Sequence, residues 1–237
     1  MTQNKARKSG LSNLGPNLVG SLISIRTAIA GQIGGLGRPM LVALDGASGA
    51  GKSTLAKVLA DALEAVVVPL DDFYAAGIPD RAWDAMTDPE RLAQVFDWNR
   101  LRLEALEPLL AGRPASWQPF DFESGLLPDG TYGLSARPVE RAPASIILLE
   151  GAYAASPPLA DLVDLAVLVD VPIAERHRRL AVREDHAFLA RWHLIWDPVE
   201  AYYFEQVRPP DSFDLIVAGS QSGDEAGEPQ PGATDVG

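Results

Sequence analysis

The sequence predicts an α/β fold built on a parallel β-sheet, from three observations. Five short apolar runs, Met40 to Leu44, Ala65 to Val68, Ile146 to Leu149, Leu165 to Val169 and Leu215 to Ala218, show no clear polar alternation. Strands buried on both faces of a parallel sheet read this way. Segments of helical pattern lie between several of the runs, as parallel crossovers require. A glycine-rich octet, GASGAGKS, joins the first run to a helix expected from Lys52 to about Leu63.

The octet carries the chemistry. Gly46, Ala47, Ser48, Gly49, Ala50, Gly51, Lys52 and Ser53 fit G-x-x-x-x-G-K-[ST], with a strand before and a helix after. Glycines let backbone N–H groups converge on phosphate oxygens where a Cβ would block the approach. The helix that opens near Lys52 directs its positive end to the same place. Lys52 then reaches the terminal phosphates, the Ser53 hydroxyl can ligate magnesium, and Thr54 closes the segment. This pattern is a P-loop, so the expected fold is a P-loop NTPase and the expected cofactors are ATP and Mg2+.

Composition sets outer bounds. The chain has 237 residues, enough for one domain with a full core and an inserted region. A net charge of −12 leaves no basic excess to neutralise a nucleic-acid backbone. With no cysteine, disulfides, thiolate catalysis and Cys-based zinc sites are excluded. The basic N-terminus lacks the apolar stretch of a signal peptide, and no apolar run is long enough to span a membrane. The expectation is a soluble cytoplasmic protein without nucleic-acid or membrane partners; a homo-oligomer is compatible with it.

Residues 1–16 read as a flexible arm and 219–237 as a disordered acidic tail, flanking a P-loop domain over 17–218. A helical stripe runs from Leu18 to Ile33 and stops at Gly34-Gly35. Between the second and third strands lies an insertion, 75–144, with one helix expected from Pro89 to Leu110. A charged helix is expected from Ile173 to about Arg191, within a lid region over 173–196, and a further helical piece from Pro198 to Gln206.

Which P-loop chemistry follows is a matter of carboxylates. The Asn-Lys-x-Asp tetrapeptide that reads guanine is absent, and IILLEGAY offers a lone Glu150 rather than Asp-Glu. A small-molecule kinase instead needs a carboxylate near the transferred phosphoryl group, to take the acceptor's proton. VVVPLDDFY supplies Asp71 and Asp72 where a strand should reach the carboxyl edge of the sheet, the usual ligand edge of open α/β folds. Asp71 is expected to face the P-loop as base, and Asp72 to turn to the metal-water shell or a cap. Glu150 and Ser53 are the expected metal contacts. Arg176, Arg178, Arg179, Arg183 and Arg191 make a basic cluster in an acidic chain, and Arg179 with Arg183 shares a helix face, suited to screening phosphates. His177, His186 and His193 show no metal-binding spacing and read as structural or surface residues. SWQPFDFESG sets rings among Pro, Gly and acids, as pocket-lining loops do.

Together these segments resemble the uridine kinase and phosphoribulokinase-like P-loop kinases. The similarity runs from about Leu41 to Val217 and is strongest in GASGAGKST, LDDFY and LLEGAY. It implies a five-stranded parallel sheet with helices on both faces, a substrate-side lobe and a lid. It also implies Asp71 as the base that activates a 5′-hydroxyl, and Glu150 at magnesium. By the same resemblance PFDF casts Phe120 as a base-stacking ring with Asp121 beside it, and Tyr74 and Asp72 as acceptor contacts. The family's ribose-reading segment is replaced by IPDRAWDAMTDPERLAQVFDW, leaving Asp84 or Asp97 for that role. The expected function is transfer of the ATP γ-phosphoryl group to a small-molecule hydroxyl, a nucleoside first. A vitamin precursor, a sugar or a modified nucleoside is the alternative acceptor, and a non-catalytic nucleotide-binding module is the rival class.

Overall fold

The computed structural model describes residues 15–183 and 185–219. All but the innermost residues of the expected arm and acidic tail lie outside them. The strands are β1 (Met40–Asp45), β2 (Val66–Pro69), β3 (Ala115–Trp117), β4 (Val139–Arg141), β5 (Ile146–Glu150), β6 (Leu165–Asp170) and β7 (Leu215–Ala218). Five of them form one parallel sheet in the order β2-β5-β1-β6-β7, so every expected strand is present. The other two, β3 and β4, pair as a short antiparallel ribbon inside the insertion, which the sequence did not reveal.

Successive strand residues point to opposite faces, and two cores divide them accordingly. Met40, Val42 and Leu44 join the core beneath α1 (Pro16–Gln32) and α2 (Lys52–Leu63). Leu41 and Ala43 join the core built with the insertion. Helix α1 starts with Pro16 in its first turn, where a missing N–H costs nothing, and buries Leu18, Leu22, Ile25 and Ile29. Ile23 falls off that stripe and is exposed. Among the described residues no helix is long and apolar enough to cross a membrane.

Three expected helices are divided differently. The stretch 89–110 is two helices, α3 (Asp88–Gln94) and α4, which covers 98–110 with a π-helical middle. Between them the backbone pairs Phe96 with Tyr74, the Asp97 N–H donates to Phe73 O at 2.8 Å, and the Asp97 side chain caps the second helix. Pairing to the turn at Phe73–Tyr74 thus outweighs helix continuity. Likewise the charged helix ends as α5 (Ile173–Arg183), because Asp185 caps a new helix, accepting from the Ala187 and Phe188 amides. That helix, α6 (His186–Tyr202), runs through Pro198 rather than starting there, then continues as a π turn over Tyr203–Val207. Pro198 lies on the exposed side of α6, where water can satisfy the carbonyl it leaves unpaired.

Register sets the site. Glu150 at the end of β5 lies opposite Leu44 of β1 on one side and Pro69 of β2 on the other. The loops after all three strands therefore emerge in one row. At the opposite edge two aspartates set the pairing. Asp164 accepts from the Leu41 amide at 2.8 Å, donates its own amide to Leu41 O, and holds Arg38 with both oxygens. Asp214 does the same to Ala166 one strand further on.

The last residue of β1 is a fully buried carboxylate. Asp45 accepts from the amides of Gly46 (2.6 Å), Tyr153 (2.9 Å) and Ala155 (2.8 Å) and from the Tyr203 hydroxyl (2.6 Å). Burial pushes its pKa up, and those donors with Lys52 pull it back.

Asp45→Asn puts an amide N–H where donors already converge, and Tyr203→Phe removes one donor. Each is expected to cost about 1.5–3 kcal/mol, read as a drop in Tm of roughly 3–12 °C in differential scanning calorimetry. Asp164→Ala leaves the Leu41 amide and Arg38 unpaired, and is expected to lower Tm without changing nucleotide affinity, since it lies at the far edge of the sheet.

Candidate active site

The P-loop follows β1 and is too tight for side chains at two of its glycines. A Cβ on Gly46 would sit 2.5 Å from Val169 O. At Gly49 (φ +81) it would sit 2.8 Å from Arg176 O, in a backbone region costly to other residues. Helix α2 begins directly after, with Lys52 buried and its ammonium on the loop's own carbonyls, Gly46 O at 2.8 Å and Ala47 O at 3.1 Å. A cation inside a cradle of backbone with no room for Cβ atoms fits a triphosphate. Ser53 donates to the buried Glu150 at 3.1 Å, an all-oxygen pair that fits magnesium. Desolvation raises the Glu150 pKa, opposed by Lys52 and reinforced by Asp71.

The outside of the loop is gripped by the two following helices. Glu200 of α6, itself buried, accepts from the Ser48 amide at 2.7 Å and pairs with Arg176 of α5 at 3.1 Å. Arg176 also donates to Ser48 O, and Arg179 donates to Gly49 O, both at 3.1 Å. Of the two arginines expected at the phosphates, Arg179 therefore bears on the loop backbone, with Glu175 as a further partner at 2.9 Å. Arg183 projects its charge onto Asp71. Asp45 and Glu200 were not among the expected site residues, and Arg176 was expected only as a member of the basic cluster. Asp45 had a signal, a lone charge ending an apolar strand; nothing in its neighbours marks Glu200.

Asp71 and Asp72 lie not on a strand end but in a 3-10 turn, Leu70–Phe73, and they part company there. Asp71 keeps an open face to solvent within a cleft of protein. Desolvation by the cleft walls raises its pKa first; Lys52 and Arg183 lower it and Asp72 raises it. Because the carboxylate still meets water, this upward push is smaller than that on a core acid. Asp72 accepts from the Trp117 indole at 2.8 Å, and its main-chain oxygen takes the Arg100 guanidinium at 2.7 Å and the Phe120 amide at 2.8 Å. Its carboxylate is thus committed to the insertion's ribbon rather than to the metal-water shell or the cap expected of it.

Tyr74 sits at the centre of a ring cluster with Phe96, Phe120, Phe122 and Trp196. Its hydroxyl pKa is raised by desolvation and by the charges of Asp71 and Glu200. Phe120, the expected stacking ring, is only 8% exposed, packed between Tyr74, Phe122 and Tyr132. Phe122 is 60% exposed beside it. Asp121 is turned onto its own loop, accepting from the Glu123 and Ser124 amides. Asp84 pairs with Arg191 and Asp97 caps α4, so neither carboxylate is uncommitted. A cleft of about 570 Å³ opens along the insertion, lined by Tyr74, Gly77, Phe96, Asp97, Asn99 and Arg100 among others. No P-loop residue lines it, nor does Asp71; Tyr74 is the side chain that links it to the acid.

No family profile and no curated protein sequence matches the chain. Solved structures match its fold. A possible uridine kinase from Bacillus stearothermophilus is 20% identical, with 76% of this chain and 88% of that one covered and a TM-score of 0.53. A putative fructose transport system kinase from Silicibacter sp. TM1040 is 24% identical over 91% and 98% of the chains, TM-score 0.56. The D-glycerate 3-kinase of Cryptococcus neoformans is 16% identical over 86% and 96%, TM-score 0.57. The chain has the α/β P-loop NTPase fold in the form these kinases share.

Proposed function

We propose that the chain is an ATP- and Mg2+-dependent cytoplasmic kinase that phosphorylates a hydroxyl of a small molecule, a nucleoside 5′-hydroxyl first among acceptors. The observation that carries this reading is the parting of the two acids. Asp71 is open to solvent within electrostatic reach of Lys52 and Arg183, while Asp72 is spent on Trp117. Residues 17–218 would form the kinase domain, with 75–144 its acceptor side and 173–196 its lid.

In this reading Gly46 to Thr54 hold the triphosphate, with Lys52 at its terminal phosphates, and Ser53 with Glu150 hold the metal. Bound magnesium–ATP supplies the electrophilic phosphoryl group. Asp71 would accept the proton of the acceptor hydroxyl, whose oxygen would take the γ-phosphoryl group as ADP leaves. Arg179 and Arg183 counter the negative charge at the P-loop as water is excluded. Tyr74 and the exposed Phe122 offer ring faces to an acceptor, with Asp121 at the rim; Asp72 orients the turn that carries Asp71.

A second reading, a sugar or hydroxy acid as acceptor, is favoured by the packing of Phe120, which leaves no free ring face there for a nucleobase. The named activities of the fructose-transport and glycerate kinases are of that kind. Incubation with labelled ATP and a panel of nucleosides, hexoses and glycerate separates the readings. No product from any nucleoside excludes the first.

Asp71→Asn is expected to lower kcat by roughly 10²–10⁴ with ATP affinity nearly unchanged, while Asp72→Asn keeps most turnover. The reverse pattern would move the base to Asp72. Since the base must be ionised, kcat/KM is expected to fall on the acid side through a pKa above the ordinary 3.8 of Asp. The same shift makes a stability statement. A raised folded pKa means that stability is fully present below the unfolded pKa and declines as pH rises through the folded one. Asp71→Asn should therefore melt above the wild type at pH 7–8, with the gap closing in acid.

A further inference from the structure

Two histidines and an aspartate that the proposed reaction does not use meet where α5 and α6 touch. His193 and Asp197 stand one turn apart on α6, and His177 reaches them from α5. The His193 Nδ1 lies 3.1 Å and 3.0 Å from the two Asp197 oxygens. His177 Nε2 lies 3.3 Å from Asp197 Oδ2. The two imidazoles are tilted 48° to each other with centroids 4.2 Å apart.

His177 Nε2 is the informative atom. It is buried yet makes no hydrogen bond, since its approach to Asp197 fails on geometry. A buried ring nitrogen with no partner is uncommon and calls for one. One nitrogen from each ring and one carboxylate oxygen all lie within 4.8 Å of one another. Zinc bonds of about 2.0–2.1 Å in a tetrahedron set its ligands roughly 3.3 Å apart. The two contacts to Asp197 Oδ2, at 3.0 and 3.3 Å, already match that edge. Each side chain is about one-third exposed, so a fourth position can face water.

We propose that His177 Nε2, His193 Nδ1 and Asp197 form a site for a divalent transition metal, zinc foremost, that ties α5 to α6. Imidazole and carboxylate donors suit zinc over magnesium or calcium, which prefer all-oxygen shells. Its consequence is mechanical. Arg176, next to His177, and Glu200, three residues after Asp197, are the pair that grips Ser48 of the P-loop. Joining the helices through a metal holds that grip closed. The sequence shows no metal spacing among the histidines because His177 stands on a different helix from His193 and Asp197, a proximity no spacing rule reports.

The test uses the untagged full chain, treated with chelator and free of nucleotide and magnesium. Calorimetric titration with zinc chloride is expected to give one equivalent bound, and Tm is expected to rise with zinc concentration. His177→Gln, His193→Gln and Asp197→Asn should each weaken binding at least about tenfold. Cobalt(II) in place of zinc should give the visible absorption of a low-coordinate nitrogen–oxygen site, lost in the same variants. No zinc binding, or equal binding in all three variants, overturns the proposal. Should a variant fail to fold by circular dichroism, the cobalt spectrum of the wild type decides: an octahedral aquo-like spectrum overturns it.

Discussion

The working edge of the molecule depends on one buried carboxylate. Asp45 ends β1 with no exposure and collects three amides and a phenol. Those donors come from three places: the first P-loop residue, the loop after Glu150, and the helix that follows α6. A charge buried this deeply is tolerated only when donors converge on it. The requirement acts in both directions, since the donors are held in place by the acid they serve. The P-loop and the Glu150 loop are therefore positioned as one body rather than as neighbouring loops.

Around that body the structure crowds like charges. Asp71 and Asp72 make Glu150 harder to ionise and Asp72 does the same to Asp71, with Lys52 the counter-charge that Asp71 and Glu150 share and Arg183 assisting at Asp71. A chain selected for stability alone would not set such acids side by side beside a single lysine. The arrangement suits a site completed by a cation and a polyanion, which is the proposed one. The adjacent acids of LDDF still repel, since Asp72 raises the Asp71 pKa, but they do not share one environment. The 3-10 turn sends one to the cleft and the other to the Trp117 indole.

The two helices after β6 reach the same loop from outside. Arg176 and Arg179 bond P-loop carbonyls, and Glu200 bonds a P-loop amide. Farther along α6, Arg191 pairs with Asp80 and Asp84 of the insertion. The two helices thus reach from the P-loop to the insertion.

Much of this was legible from local pattern. The five strands, α1, α2 and the phosphate loop follow from apolar runs, helical spacing and a glycine motif, because each is set by neighbours within a few residues. Glu150 ends β5 as its apolar run suggested, whereas Asp71 falls in the 3-10 turn after β2. What the sequence by itself determined was the parallel sheet and the glycine loop and acids that line its carboxyl edge. Only the tertiary structure decided the break at Val95–Asp97, the bond from Trp117 to Asp72, the burial of Phe120, the grip of Glu200, and the meeting of His177 with His193 and Asp197. Each of these joins residues from separate elements, and in most of them a polar group's partner is chosen by packing rather than by its neighbours in the chain.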